Sequence, residues 1–156
     1  NKVDVLKKHL QDINPNLQIQ AIPEFINHKN ISFLIPKKID FAVDAIDTLR
    51  EKVNLILYFQ KKAIPFISSM GAAMKTDPFQ IRLASLNQTF VCPLAALLRK
   101  QLRQKQADLS FPCVFSIEHP QGIQKADRQM GSLITITGIF GLILANEVIK
   151  RIIERD

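Results

Sequence analysis

Apolar runs of strand length alternate along this chain with longer stretches whose apolar residues recur every three or four positions, and no other feature constrains the fold as tightly. The strand-like runs are "LQIQAIPEFI" from Leu17, the stretch around Phe41, Val43 and Ile46, "AIPFISS" from Ala63, "FQIRLASL" from Phe79 and "PCVFSIE" from Pro112. The helical stretches are Lys2 to Ile13, Thr48 to Lys62, Cys92 to Ala107 with Pro93 in its first turn, and Ser132 to Arg155. In this order they predict an α/β sheet with at least some parallel pairs, because a parallel neighbour is reached only through a long crossover.

Each element carries an expectation about its faces. Pro23 suggests a sheet edge or a strand end for the first strand. Phe41, Val43 and Ile46 should make the second a short buried strand. Leu94, Leu97, Leu98 and Leu102 should form the inner face of the third helix, leaving Arg99, Lys100, Arg103 and Lys105 outside. The first half of the last helix is apolar nearly all round and should be buried, with Gly131, Gly138 and Gly141 permitting close approach in the core or across a dimer interface. Glu118 to Met130 reads as a mobile polar loop containing His119, Lys125, Asp127 and Arg128, and His119 has no second ligand at metal-binding spacing.

A length of 156 residues with 47% hydrophobic content suits one globular domain over 1–156. A formal charge of +7 and a pI near 9.6 favour an anionic partner, nucleic acid or a nucleotide phosphate. Cys92 and Cys113 belong to no CxxC pair, so they read as reduced thiols of a cytoplasmic protein rather than a zinc or disulfide framework. The longest apolar run, "LITITGIFGLIL", falls short of the roughly 20 residues of a membrane helix, and no signal peptide is expected. There is no G-x-G-x-x-G and no P-loop, and no strand precedes the first helix.

The acids of "FAVDAIDTLREK" lie at a strand-to-helix junction, where α/β sheets bind ligands. By residue type alone, Asp44 reads as a strand-end acid bonded to nearby backbone, and Asp47 as a helix N-cap before Thr48.

Several stretches together resemble one family: "INPN" at Ile13, "VDAIDTLREK" at Val43, "IPFISSMGAAMKTDP" at Ile64, "PLAALLRKQLR" at Pro93, "CVFSIE" at Cys113 and "TGIFGLILANEVIK" at Thr137. The chain is thereby similar to the ubiquitin-activating-like adenylyltransferases of the ThiF/MoeB/HesA type, and within them to the tRNA threonylcarbamoyladenosine dehydratase branch. The resemblance implies a Rossmann-like mixed sheet flanked by helices, of α/β class, lacking the first glycine-rich βαβ half, so that the chain looks like the carboxyl-terminal part of such an enzyme and is expected to be inactive alone. It also implies ATP-dependent adenylation and cyclisation of the threonylcarbamoyl group on tRNA, with ATP and magnesium.

In that likeness Asp47 matches the aspartate holding magnesium on the ATP phosphates, and Lys2 matches a lysine that neutralises phosphate charge. Arg99, Lys100, Arg103 and Lys105 become a candidate tRNA surface. Cys113 is the weaker nucleophile candidate beside its reading as a buried apolar residue. A homodimer, a partner supplying the missing half, and a sulfur-transfer partner are implied as well. Alternatives are activation of a ubiquitin-like sulfur carrier by carboxyl-terminal adenylation, and a non-catalytic dimerising or RNA-binding remnant. The loop "SSMGAAMKTDP" departs from the family in having Met70, Ala73 and Met74 where smaller residues are expected.

Overall fold

A computed structural model describes residues 1–119 and 131–154, which fall into two compact units, Asn1–Pro36 and Lys37–Asp156. In the first unit, α1 (Lys2–Ile13) forms at the expected positions and ends where Asn14 turns extended ahead of Pro15. None of its residues is buried. The run from Leu17 makes no strand. The chain stays irregular until α2 (Ile31–Leu34), which is entered through a turn where Asn30 Oδ1 accepts from the Asn27 amide at 2.8 Å. Alternation makes a strand only where a neighbour supplies the ladder, and among the described residues this run has none.

The second unit runs β1 (Ala42–Asp44), α3 (Leu49–Lys61), β2 (Phe66–Ser69), β3 (Ile81–Ser85), α4 (Pro93–Gln104), β4 (Pro112–Ser116) and α5 (Ile134–Ile153). The sheet order is β1-β2-β4-β3. β1, β2 and β4 are parallel, with Asp44 opposite Ser68 and Ser69 opposite Val114, while β3 runs antiparallel on β4. This is the expected mixed α/β sheet.

Ile67, Ile81 and Val114 of the strands pack with Ile136, Phe140 and Leu144 of α5 to form one core layer. The alternate residues of β2 face the other way: Phe66 stacks between Phe59 of α3 and Phe111, at centroid distances of 5.2 and 4.8 Å. β2 and β4 are therefore covered on both faces, which is why they read as continuous apolar runs.

Face assignments differ from the sequence reading in three places. In β1 the buried residues are Ala42 and Asp44, and Val43 points outward, because the charged partner of Asp44 lies inside. In α4 the inner face is Ala95, Leu98 and Leu102; Leu97 is exposed. α5 is not buried all round, since Ile134 and Leu142 are exposed, and a Cβ added at Gly131, Gly138 or Gly141 would meet nothing within 4 Å. A single helix on one sheet face can bury only the stripe that touches it. Most of the mobile-loop reading, including Lys125, Asp127 and Arg128, lies outside the described residues; Glu118 at its start is buried and bonded, and His119 is exposed.

Candidate functional site

Parallel strands deliver their carboxyl ends to one edge of the sheet, and the segments leaving β1 and β2 there enclose a cavity of about 680 Å³. Its walls are Ala45 to Asp47 after β1, Ser69 to Lys75 after β2, Cys92 to Leu94 at the start of α4, and Thr137, Phe140, Gly141 and Leu144 of α5. The lining is mainly apolar with a few polar groups, the usual make-up of a small-molecule site.

The β1–α3 corner is built on a buried ion pair. Lys52 Nζ lies 2.7 Å from Asp44 Oδ2, both side chains are fully enclosed, and Ser68 Oγ donates to the same oxygen at 2.6 Å. Burial lowers the Lys52 pKa, and the adjacent Asp44 carboxylate pulls the other way. The second oxygen of Asp44 accepts from the Ile46 amide at 3.1 Å, so the pair fixes the backbone that leads to Asp47. Asp47 itself is exposed on the cavity rim. It does not cap α3: Thr48 holds the N-cap position, and Asp47 Oδ1 accepts from the Thr48 hydroxyl at 3.3 Å.

The β2 loop is held differently. Glu118, buried just beyond β4, accepts from the amides of Thr76 (2.9 Å) and Asp77 (3.1 Å) and from the Thr76 hydroxyl (2.9 Å). Burial would raise its pKa, but these donors and the nearby Lys75 ammonium outweigh that and hold the carboxyl below its ordinary range. Lys75 Nζ donates to the main-chain oxygen of Glu118, and the Met74 amide donates to Gly131 O at 3.0 Å. Met74 takes a φ of 59°, and Val91, near the α4 edge of the cavity, a φ of 64°. For a β-branched residue the latter is a real outlier, closed by a Cys92 N to Phe90 O bond of 2.7 Å.

Of the residues singled out by sequence, Asp47 lines the cavity. Lys2 is exposed in the first turn of α1, in the other unit. Lys100, Arg103 and Lys105 are exposed along α4 and the residue that follows it, whereas Arg99 is half-buried and donates to the Thr89 hydroxyl. Cys113 is fully enclosed in β4, and burial pushes its thiol up to about 12, with Cys92 adding to the rise, so a thiolate is disfavoured at neutral pH. Its enclosure suits the alternative reading of Cys113 as a buried apolar residue. Sequence reasoning missed Lys52, Lys75 and Glu118; the only available signal was their position in the "VDAIDTLREK", "MKTDP" and "CVFSIE" segments.

The family model described as the ThiF family matches residues 1–156. The chain is 30% identical over 168 residues to the tRNA threonylcarbamoyladenosine dehydratase of Bacillus subtilis (strain 168), a match that takes in 98% of this chain and 66% of that protein. It thus spans about two thirds of that relative's length. It is similar to the crystal structure of E. coli tRNA N6-threonylcarbamoyladenosine dehydratase in complex with AMP, at a TM-score of 0.89 and 28% identity over 99% of this chain and 65% of that one. The same E. coli protein in complex with ATP gives a TM-score of 0.88 at 27% identity, over 99% of this chain and 64% of that one.

Proposed function

The chain belongs to the ThiF family, and from that premise we propose that it serves an ATP-dependent tRNA dehydratase that adenylates the carboxylate of a threonylcarbamoyl group. The observation that carries the reading is the cavity at the carboxyl ends of β1 and β2 with the Asp47 carboxylate on its rim, in a chain whose E. coli relative is solved with both AMP and ATP.

In the proposed reaction an oxygen of the substrate carboxylate bonds to the α-phosphorus of ATP as the α–β anhydride breaks and pyrophosphate leaves. A nucleophilic atom of the same carbamoyl group then attacks the acyl carbon, AMP leaves with that oxygen, and the displaced proton passes to solvent. The substrate has lost the elements of water.

Asp47 would hold magnesium jointly with ATP phosphate oxygens. The described residues contain no cluster of three or more His, Cys, Asp or Glu, and a lone carboxylate suits a cation that takes one or two carboxylates and fills its shell with phosphates and water. When bound, that ion would offset phosphate charge. Lys100, Arg103 and Lys105 would meet the tRNA backbone, contributing salt-dependent affinity. The exposed apolar residues Ile134, Leu142 and Ile153 of α5 would meet a second copy.

The reading is tested by AMP release from ATP in the presence of threonylcarbamoyl-modified tRNA, using the protein as its own gene produces it. AMP formation that requires the modified tRNA and falls at least about 100-fold in Asp47→Ala is expected, since removing one transition-state charge contact is worth that much. AMP release driven instead by a carrier protein's carboxyl terminus, or tRNA binding indifferent to both ATP and Asp47→Ala, would overturn it.

A further inference from the structure

Among the described residues that line the cavity, Asp47 and Lys75 are the charged ones. We propose that Lys75 is the contact for the substrate carboxylate awaiting activation, which deepens, and rests on, the adenylation reading above.

Lys75 is only 2% exposed, a rare state for a lysine, and the Glu118 carboxylate is near it without closing an ion pair. Its one described acceptor is the main-chain oxygen of Glu118; the Glu118 carboxylate is taken up by Thr76 and Asp77, and no ion pair to Lys75 forms among the described residues. An ammonium has three N–H donors, and the described residues take one of them, through the Glu118 main-chain oxygen. The surrounding wall of Met70, Ala72, Ala73, Leu94, Phe140 and Leu144 is apolar, and in such a setting an oxyanion beside the ammonium is bound far more strongly than in water.

The loop is also prepared for this task. Its backbone is tied at Met74 to Gly131 O and at Thr76 and Asp77 to Glu118, on either side of Lys75, so the ammonium is held in place before substrate arrives. Asp47, by contrast, repels an anion and suits the metal-bound phosphates. The two charges leave the carboxyl ends of neighbouring parallel strands, which sets ATP phosphate on the β1 side and the carboxylate on the β2 side.

The experiment is steady-state AMP release by the protein as its own gene produces it, with ATP and threonylcarbamoyl-modified tRNA varied in turn, for wild type, Lys75→Met and Lys75→Arg, well below each melting midpoint. Loss of a charge-assisted bond predicts a rise of about tenfold or more in the KM for modified tRNA in Lys75→Met, a KM for ATP within about twofold of wild type, and substantial recovery in Lys75→Arg. An unmoved KM for tRNA, or a rise confined to ATP, overturns the assignment; the latter would mean that the oxyanion is a phosphate. Lys75→Gln, which retains a donor for the Glu118 carbonyl, covers the case of a Met variant that does not fold: a threefold or larger rise in the same KM supports the assignment and no rise overturns it. A wild type that releases no AMP with modified tRNA removes the adenylation reading itself, whereas an active wild type matched by Lys75→Met removes only the role of Lys75.

Discussion

Asp47 and Lys75 reach one cavity from the ends of adjacent strands, yet the loops behind them are anchored by different physics. The Asp47 corner rests on a desolvated ion pair, Lys52 with Asp44, closed within a single β1–α3–β2 unit. The Lys75 loop rests on a carboxylate that takes neutral amide and hydroxyl donors from Thr76 and Asp77, 42 and 41 residues earlier in the chain. The first anchor is complete once neighbouring elements pair. The second exists only after β4 has been added beside β2. A buried pair gives high stakes on removal of one partner, while a carboxylate on backbone donors gives a milder anchor that also senses acid.

The largest expected effect comes from splitting the ion pair. Lys52→Met leaves the Asp44 carboxylate buried without its cation and should destabilise the protein by about 3–5 kcal/mol, read from urea denaturation midpoints. Combining it with Asp44→Asn should recover a large part of that loss. A double variant as unstable as the sum of the singles would break the comparison, since the two groups would then not be coupled.

Next in size is Glu118→Gln, which turns a charged acceptor into an amide facing N–H donors. A loss of about 1.5–3 kcal/mol is expected. A loss exceeding that of Lys52→Met would reverse the ranking of the two anchors.

Acid provides a sharper separation. Because the folded protein holds the Glu118 carboxyl below its ordinary range, the group contributes fully above its unfolded pKa of about 4.3, and the contribution is lost as pH falls through the lower folded value. Stability measured from about pH 5 down to about pH 2 should therefore fall less steeply in Glu118→Gln than in wild type. Equal slopes would show that Glu118 is not a proton-linked anchor.

The smallest effect is at the cavity edge. Val91→Gly removes a β-branched side chain from left-handed backbone and should gain up to about 1 kcal/mol, the relieved strain being partly offset by the greater freedom of glycine in the unfolded chain. A loss on this substitution would mean that the valine side chain contributes more than its backbone costs.

Much of this was readable in advance. α1, α3, α4 and α5 lie within a few residues of their periodic runs, and β2, β3 and β4 lie on theirs. Asp47 was singled out at a strand-to-helix junction and lines the cavity. Misreadings cluster where a face had to be chosen. Val43 was assigned inward because it is apolar, but Asp44 is the inward residue because Lys52 reaches it from α3. The alternating run from Leu17 has no described neighbour to pair with, and Leu142 of α5 lies off the stripe that meets the sheet.

By itself the sequence determined the α/β class, the order of elements and the position of one acid, because periodicity and turn chemistry are local and act on every copy of a pattern alike. Only the tertiary structure decided that Lys52 is buried, that Glu118 is an anchor and that Lys75 shares a cavity with Asp47. Each of these depends on which strands become neighbours and on which side chains lose water together, and the free energy of a charged group is set by that surrounding rather than by its own place in the chain.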